Sequence, residues 1–219
     1  MPLNSVLFPG APTTLYIHEE RYKEMLEEVS DGDGYFGVAL LRAGKEVGGP
    51  AIPHDYGTMA HIFEATRLPD GSTVVLAEGG PRFKVRAIVS AMPIVRAEVE
   101  LVEDINGADS VQSSDAELAY TELEELIGLV LRTIGAEQVQ PKVPRDPAAL
   151  SWAIAANLQV RLSVQQQLLE MRSATSRLAA ELPLLRREVR HYRLLAAARE
   201  KLDALGITDG DENAPFSRS

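Results

Sequence analysis

The feature that most constrains the fold is a change of hydrophobic period partway along the chain. Up to about Asp104, apolar residues recur at every second position in short runs; beyond about Ser114 they recur every third and fourth. Period two puts alternate side chains on opposite faces of a strand, whereas a period of three to four lines one face of a helix. In residues 93–101, Val95, Ala97, Val99 and Leu101 share one face, and Arg96, Glu98 and Glu100 share the other. In residues 82–88, Phe83, Val85 and Ala87 oppose Arg82, Lys84 and Arg86. Both patterns predict half-buried strands. Turn residues separate the runs: Pro9-Gly10, Gly32-Asp33-Gly34, Gly48-Gly49-Pro50, Pro69-Asp70-Gly71 and Gly79-Gly80-Pro81. Such punctuation predicts a small β unit, with Pro69-Asp70-Gly71 as a hairpin turn. One helix interrupts it over residues 19–29. Its stripe of Tyr22, Met25, Leu26 and Val29 is suited to lie across the mouth of a barrel, and Asp31-Gly32 ends it.

Residues 105–113 are small and polar and read as a linker. Helical signals follow. Ser114 with Glu117 forms a capping box, and Leu123, Leu126, Ile127, Val130, Leu131 and Ile134 form an apolar stripe that Gly135 terminates. Asp146-Pro147 is a second helix start, with Pro where its missing N–H costs nothing, and Ser163 with Gln166 marks a third. Leu178, Leu182, Leu185, Val189, Tyr192 and Ala196 then follow a heptad seam that contains Pro183, the site of a kink or of a new helix start. The expected organisation is a strand-rich unit over 1–105, a helical unit over 114–203 with a long last helix, and a disordered tail over 208–219.

Composition narrows the function. There are 219 residues, enough to bury a core, and no cysteine, which removes disulfide and thiolate chemistry. The N-terminus lacks a basic region followed by an apolar run, and no apolar stretch approaches the ~20 residues that span a bilayer. A cytoplasmic protein without membrane contact is expected. The net charge of −10 repels a phosphate polyanion on average, so nucleic acid is a disfavoured partner. The acid is concentrated in the first half and the linker; over residues 161–201, basic residues outnumber acidic ones by about two to one.

Chemistry-bearing motifs are sparse. His18, His54, His61 and His191 have no partner at metal-ligand spacing, so no metal is expected. No G-x-S-x-G elbow occurs. Glu19-Glu20 and Glu27-Glu28 are adjacent on helices and point in different directions, as solvated faces do. The glycines of residues 44–49 lack the spacing of a phosphate cradle and read as a hairpin turn.

Several strings together resemble a known family. Pro2-Leu3-Asn4-Ser5-Val6-Leu7-Phe8-Pro9-Gly10, then Ile17-His18-Glu19-Glu20-Arg21-Tyr22, resemble the opening of the N-terminal, substrate-binding domain of Lon proteases. Phe36-Gly37-Val38, the run from Gly57 to Ile62, Leu68-Pro69-Asp70-Gly71 and the run from Gly79 to Phe83 continue the match in order. Gln166-Gln167-Leu168-Leu169-Glu170 and Arg177-Leu178 resemble the family's helical part, so the likeness runs from about Pro2 to about Leu185. It implies an α+β fold, in which a PUA-like pseudo-barrel precedes a helical bundle. It also implies a part in engaging unfolded or tagged polypeptide. The motor and protease parts of Lon have no counterpart, because neither a G-x-x-x-x-G-K-[ST] loop nor a Ser–Lys catalytic region is present.

The expectation is therefore a non-catalytic module, without cofactor, that binds unfolded or exposed polypeptide segments. A protease or chaperone is a further expected partner, and the chain itself is expected as monomer or homodimer. For peptide contact the candidates are apolar residues that break pattern: Ile52, Met59, Met92 and Ile94. Methionine suits adaptable surfaces because its side chain is flexible and polarisable. The alternative is a PUA-like RNA binder using a basic strip of Arg82, Lys84 and Arg86, although RNA readers add exposed aromatics for stacking.

Overall fold

The computed structural model describes residues 1–105, 113–136, 138–139 and 142–204. Most of the expected linker, the expected tail and the Ser114 side chain of the first capping box lie outside the described residues. Six strands and five helices follow one another: β1 (Pro2–Leu3), β2 (Pro12–Ile17), α1 (Glu20–Ser30), β3 (Tyr35–Gly44), β4 (Ala51–Arg67), β5 (Thr73–Ser90), β6 (Arg96–Val102), α2 (Ser113–Thr133), α3 (Pro147–Asn157), α4 (Leu162–Glu170) and α5 (Ala174–Ala204). This is the α+β arrangement of a pseudo-barrel followed by helices.

The strands form one sheet in the order β1-β3-β4-β5-β2, with β6 joined to β5. Only the β1–β3 pairing is parallel. β4 and β5 are 17 and 18 residues long, and register shifts break their ladders, as bulges do where a long strand must bend. The hairpin between them turns where expected: Gly71 has φ +82°, and Asp70 Oδ1 accepts from both the backbone N–H and the hydroxyl of Ser72. Two glycines are required by close approach. A Cβ on Gly57 would lie 2.3 Å from the Val38 carbonyl oxygen and 2.4 Å from the Phe83 ring, and one on Gly79 would lie 2.1 Å from the Phe8 carbonyl oxygen. Among the described residues the pseudo-barrel does not close: β1 pairs only with β3, and β6 only with β5.

Two apolar clusters result. Leu3, Leu7, Ile17, Tyr22, Met25, Leu26, Phe36, Val38, Val75 and Ile94 fill the barrel, with α1 as a cover. Leu123, Leu126, Leu150, Ile154, Leu168, Leu169, Leu178, Leu185 and Val189 fill the bundle. The heptad seam therefore packs within the chain, and Tyr192 and Ala196 continue it against the same core. α5 runs unbroken for 31 residues with Pro183 inside it. Proline has no N–H to give the carbonyl four residues back, and packing of the seam outweighs that loss. Asp146 caps α3 as expected, its carboxylate accepting from the Ala149 N–H at 2.8 Å, with Pro147 in the first turn. The third helix start differs from expectation. α4 begins at Leu162 after Arg161, with no side-chain cap, and Gln166 turns to the Tyr56 carbonyl and the Glu170 carboxylate.

Barrel and bundle meet on a buried polar knot. Asp104 accepts from Arg82 at 2.5 Å through one oxygen and from Arg177 at 2.8 Å through the other. Arg82 also donates to the carbonyls of Leu169 and Met171, and Arg177 to Met171 and the Ser151 hydroxyl. Both guanidiniums lie over the Trp152 ring. Removing Asp104 leaves two buried cations without their counter-charge, so Asp104→Ala should cost about 3–5 kcal/mol in denaturant unfolding. A loss below ~1 kcal/mol would show that the knot is not an anchor.

One helical turn beyond Arg177, Glu181 is fully buried and neither carboxylate oxygen has a partner. Burial raises its pKa well above the ordinary carboxylate value of 4.5, and the Arg177 charge opposes the rise. The folded state thus holds its proton more tightly than the unfolded state. Its contribution is complete below about 4.5 and is lost as pH climbs through the raised value. Glu181→Leu should stabilise the protein, and the gain over wild type should widen between pH 5 and pH 8. Unfolding curves measured across that range check both the sign and the trend.

Candidate functional site

The open seam of the barrel holds an apolar hollow of about 350 Å³. β5 and β6 form one wall, with Phe83 and Val85 beside Ala97 and Val99. β3 and β4 form another, through Phe36, Gly37 and Met59. Met1 and Pro2 bound it at β1, Met25 closes it from α1, and Ile94 and Val95 close it ahead of β6. Local sequence explains the shape. Phe83 and Val85 lie opposite Leu101 and Val99 across the β5–β6 ladder, so their side chains share a face. The Phe83 ring fits because Gly37 and Gly57 leave it room; a Cβ on either would touch it.

The polar groups on these walls are few. Arg96 donates to Glu28 at 2.6 Å, and the Tyr35 backbone N–H donates to Asp33. The hollow therefore offers hydrocarbon, three methionines, three aromatic rings and a strand edge rather than converging acids and bases. That suits capture of a side chain or an extended segment, since soft methionines adapt to varied shapes.

The face of β6 that points to the barrel interior is only partly covered. Val99 is 41 % exposed and Leu101 59 % exposed. Alternation had predicted a half-buried strand. The inward direction is as expected, but among the described residues no further strand covers it at the open seam.

The four pattern-breaking candidates divide. Met59 lines the hollow. Ile94 also lines it but is buried, 8 % exposed, within the barrel cluster. It lies ahead of the first residue of β6, so the alternation that placed it on the polar face does not apply. Ile52 and Met92 are exposed and lie outside the hollow's lining, although Ile52 adjoins Pro53, which is part of it.

The basic strip does not form a solvent face. Arg82 is 3 % exposed and belongs to the knot under the bundle. Burial pushes its guanidinium below the ordinary pKa, and Asp104 pushes it back up. Lys84 lies over the Tyr56 ring, and Arg86 is paired with Glu100. The three point away from the barrel interior as alternation required, but the bundle docks on that outer face at Arg82. Sequence reasoning placed Phe83, Val85 and Val99 on the inward face without marking them as a site. Only the opening of the seam, set by pairing between distant strands, turns that face into a hollow.

A second depression, about 570 Å³, lies between the Pro9–Pro12 turn and α3, against Trp152, Ala153 and Ala156. Its lining is mostly proline, glycine and alanine, which gives a ligand fewer large side chains to grip.

If the Phe83 ring sets the floor of the hollow, crowding it from Gly57 must disturb both fold and site. Gly57→Ala should lower stability by roughly 1–3 kcal/mol. The rigid Val38 carbonyl cannot move aside as a side-chain tip would. An alanine variant as stable as wild type would show that the close approach has been misread.

The comparisons agree with this architecture. The family model described as the ATP-dependent protease La (LON) substrate-binding domain matches residues 1–187. The Lon protease of Anaeromyxobacter dehalogenans is 28% identical over 191 residues, covering 86% of this chain and 23% of that protein. Lon protease 2 of Myxococcus xanthus is 27% identical over 202 residues, with 86% and 23% covered. The chain thus spans about a quarter of the length of these relatives. Among solved structures, a Lon N-terminal domain protein from Xanthomonas campestris superposes with a TM-score of 0.64 at 24% identity, over 84% of this chain and 95% of that one. The N-terminal domain of Mycobacterium avium complex Lon protease gives 0.56 at 18%, over 83% and 93%. The chain belongs to the Lon substrate-binding domain family.

Proposed function

We propose that this chain is a non-catalytic polypeptide-recognition module that holds apolar stretches of unfolded or exposed protein segments in the hollow at the barrel seam. It acts in the cytoplasm, as a monomer or homodimer, and serves as an adaptor that passes its cargo to a protease or chaperone. No residue of the site works as acid, base or nucleophile.

The observation that carries this reading is the uncovered apolar face of β6 beside the hollow, Val99 and Leu101 above all. Folding removes such surface from water wherever it can, at about 25 cal/mol per Å². An exposed apolar strip next to an apolar cavity marks a binding surface. Membership of a family described as substrate-binding supports the same conclusion. The RNA reading gains no support, because Arg82 is engaged beneath the bundle and Arg86 by Glu100.

The test is a fluorescence-anisotropy titration with a panel of labelled apolar peptides and one reduced, carboxymethylated unfolded protein. Dissociation constants of about 10–100 μM are expected, and Leu101→Asp and Val99→Asp should each weaken binding by about 10-fold, or 1.4 kcal/mol. Both positions are exposed, and thermal unfolding of each variant verifies that its fold survives. Absence of binding by wild type throughout the panel would falsify the reading.

A further inference from the structure

We propose that the occupant of the hollow binds as an added β-strand: an extended segment, with apolar residues at alternate positions and Lys or Arg between them, pairs with the free edge of β6. This rests on the recognition reading above and specifies its geometry.

Three observations converge on the edge of β6. First, its seven residues pair with β5 on one side, and among the described residues no strand pairs with the other. That edge is roughly 24 Å of backbone at ~3.4 Å per residue. β1 cannot supply the ladder from across the seam. It has two residues, one of them Pro2 without an N–H, and it is committed to Ala39 and Leu40 of β3. Unpaired strand edges are templates for another segment.

Second, the inward row of β6 is apolar and uncovered. A strand laid beside it would place every second side chain next to Ala97, Val99 and Leu101, where cross-strand neighbours interact. One of those side chains then enters the hollow over Phe83 and Val85.

Third, the outward row sets the charge of the occupant. Arg96 is neutralised by Glu28 and Glu100 by Arg86. Glu98 has no ion-pair partner among the described residues, so it is the one unpaired charge of the β6 row, while Lys84 of β5 lies across from the already paired Glu100. Opposite charges directly across a strand pair favour pairing, and like charges oppose it. The outward position of the occupant that faces Glu98 is therefore basic, and its neighbours carry no acid.

The experiment uses the full chain and seven-residue labelled peptides. One alternates Leu and Lys; a second alternates Leu and Glu. Two more carry the Leu/Lys sequence with backbone N-methyl groups on the odd or on the even residues. Strand addition uses the N–H groups of one parity only. One methylated peptide should therefore bind like the parent, and the other should lose at least about 10-fold in affinity, which is 1.4 kcal/mol. The Leu/Glu peptide should be similarly weakened, and Glu98→Lys should reverse the preference between the Lys and Glu peptides. Equal affinity of the two methylated peptides, whether both retained or both lost, overturns strand addition and leaves recognition standing. Equal binding of the Lys and Glu peptides overturns the basic pattern. No binding of any peptide overturns this inference together with the reading beneath it. A concentration-dependent dimer that excludes the peptides makes a second copy the occupant and also overturns it.

Discussion

The structure depends on one carboxylate held between two buried guanidiniums. Removing Arg82 and Arg177 from water is costly, and the Asp104 charge, four carbonyl or hydroxyl acceptor contacts and the Trp152 ring offset that cost. A buried ion group of this kind is not a strong source of stability compared with apolar packing, but it accepts only one arrangement of its partners. Here the partners come from β5, from just beyond β6, from α3, from α4 and the α4–α5 connection, and from α5. Asp104 lies two residues beyond β6, and the adjoining backbone is tied as well: the Ile105 N–H donates to the Arg172 carbonyl at 2.7 Å, and Arg172 Nε donates to the Glu103 carbonyl. The knot that orients the bundle therefore also fixes one end of β6, and with it the width of the seam.

The N-terminal segment makes the second joint. Leu7 and Phe8 are neighbours in sequence, yet Leu7 enters the barrel cluster and Phe8 enters the bundle cluster, 6.2 Å from the Trp152 ring. The Thr58 hydroxyl holds the Leu7 carbonyl at 2.6 Å, and Gly10 and Ala11 exchange backbone hydrogen bonds with Gly79. Gly79 must lack a side chain because the Phe8 carbonyl occupies that space. The Leu-Phe-Pro-Gly string that carried the family resemblance thus has a mechanical meaning. One residue is directed into each core, and the turn that follows locks onto β5.

Sequence pattern made the directions of side chains legible but not what covers them. Pro69-Asp70-Gly71 and Asp146-Pro147 were readable because turn and cap chemistry is local and nothing distant competes with it. The seam of α5 was readable because seven-residue spacing survives even Pro183. Ser163 failed as a cap because packing of Leu168 and Leu169 starts α4 two residues earlier, with Arg161 at the cap position and Leu162 first in the helix. Arg82 and Leu101 failed for one shared reason. Alternation told correctly that Arg82 faces outward and Leu101 inward, yet outward at Arg82 lies beneath the bundle, while inward at Leu101 lies at the open seam. Covering of a face is decided by non-local contacts, and no period in one strand encodes it.

An apolar strand edge left open invites self-association, so the residues that would tune it for a partner also bear on pairing with a second copy. Antiparallel pairing of β6 with itself about Val99 would set Glu98 against Glu100 twice, at strand-to-strand distances where like charges repel. Centred on Glu98 instead, the pairing sets Glu98 against Glu98 but also Arg96 against Glu100 twice, and the opposite charges offset the repulsion. In both arrangements the inward residues would meet well, so apolar pattern alone would permit the dimer. The outward carboxylates thus disfavour the Val99-centred register, whereas the proposed basic segment would meet no such repulsion. On the proposed reading, charge on the solvent row and hydrocarbon on the barrel row do separate work on the same seven residues: the second would supply the grip, and the first would select the occupant.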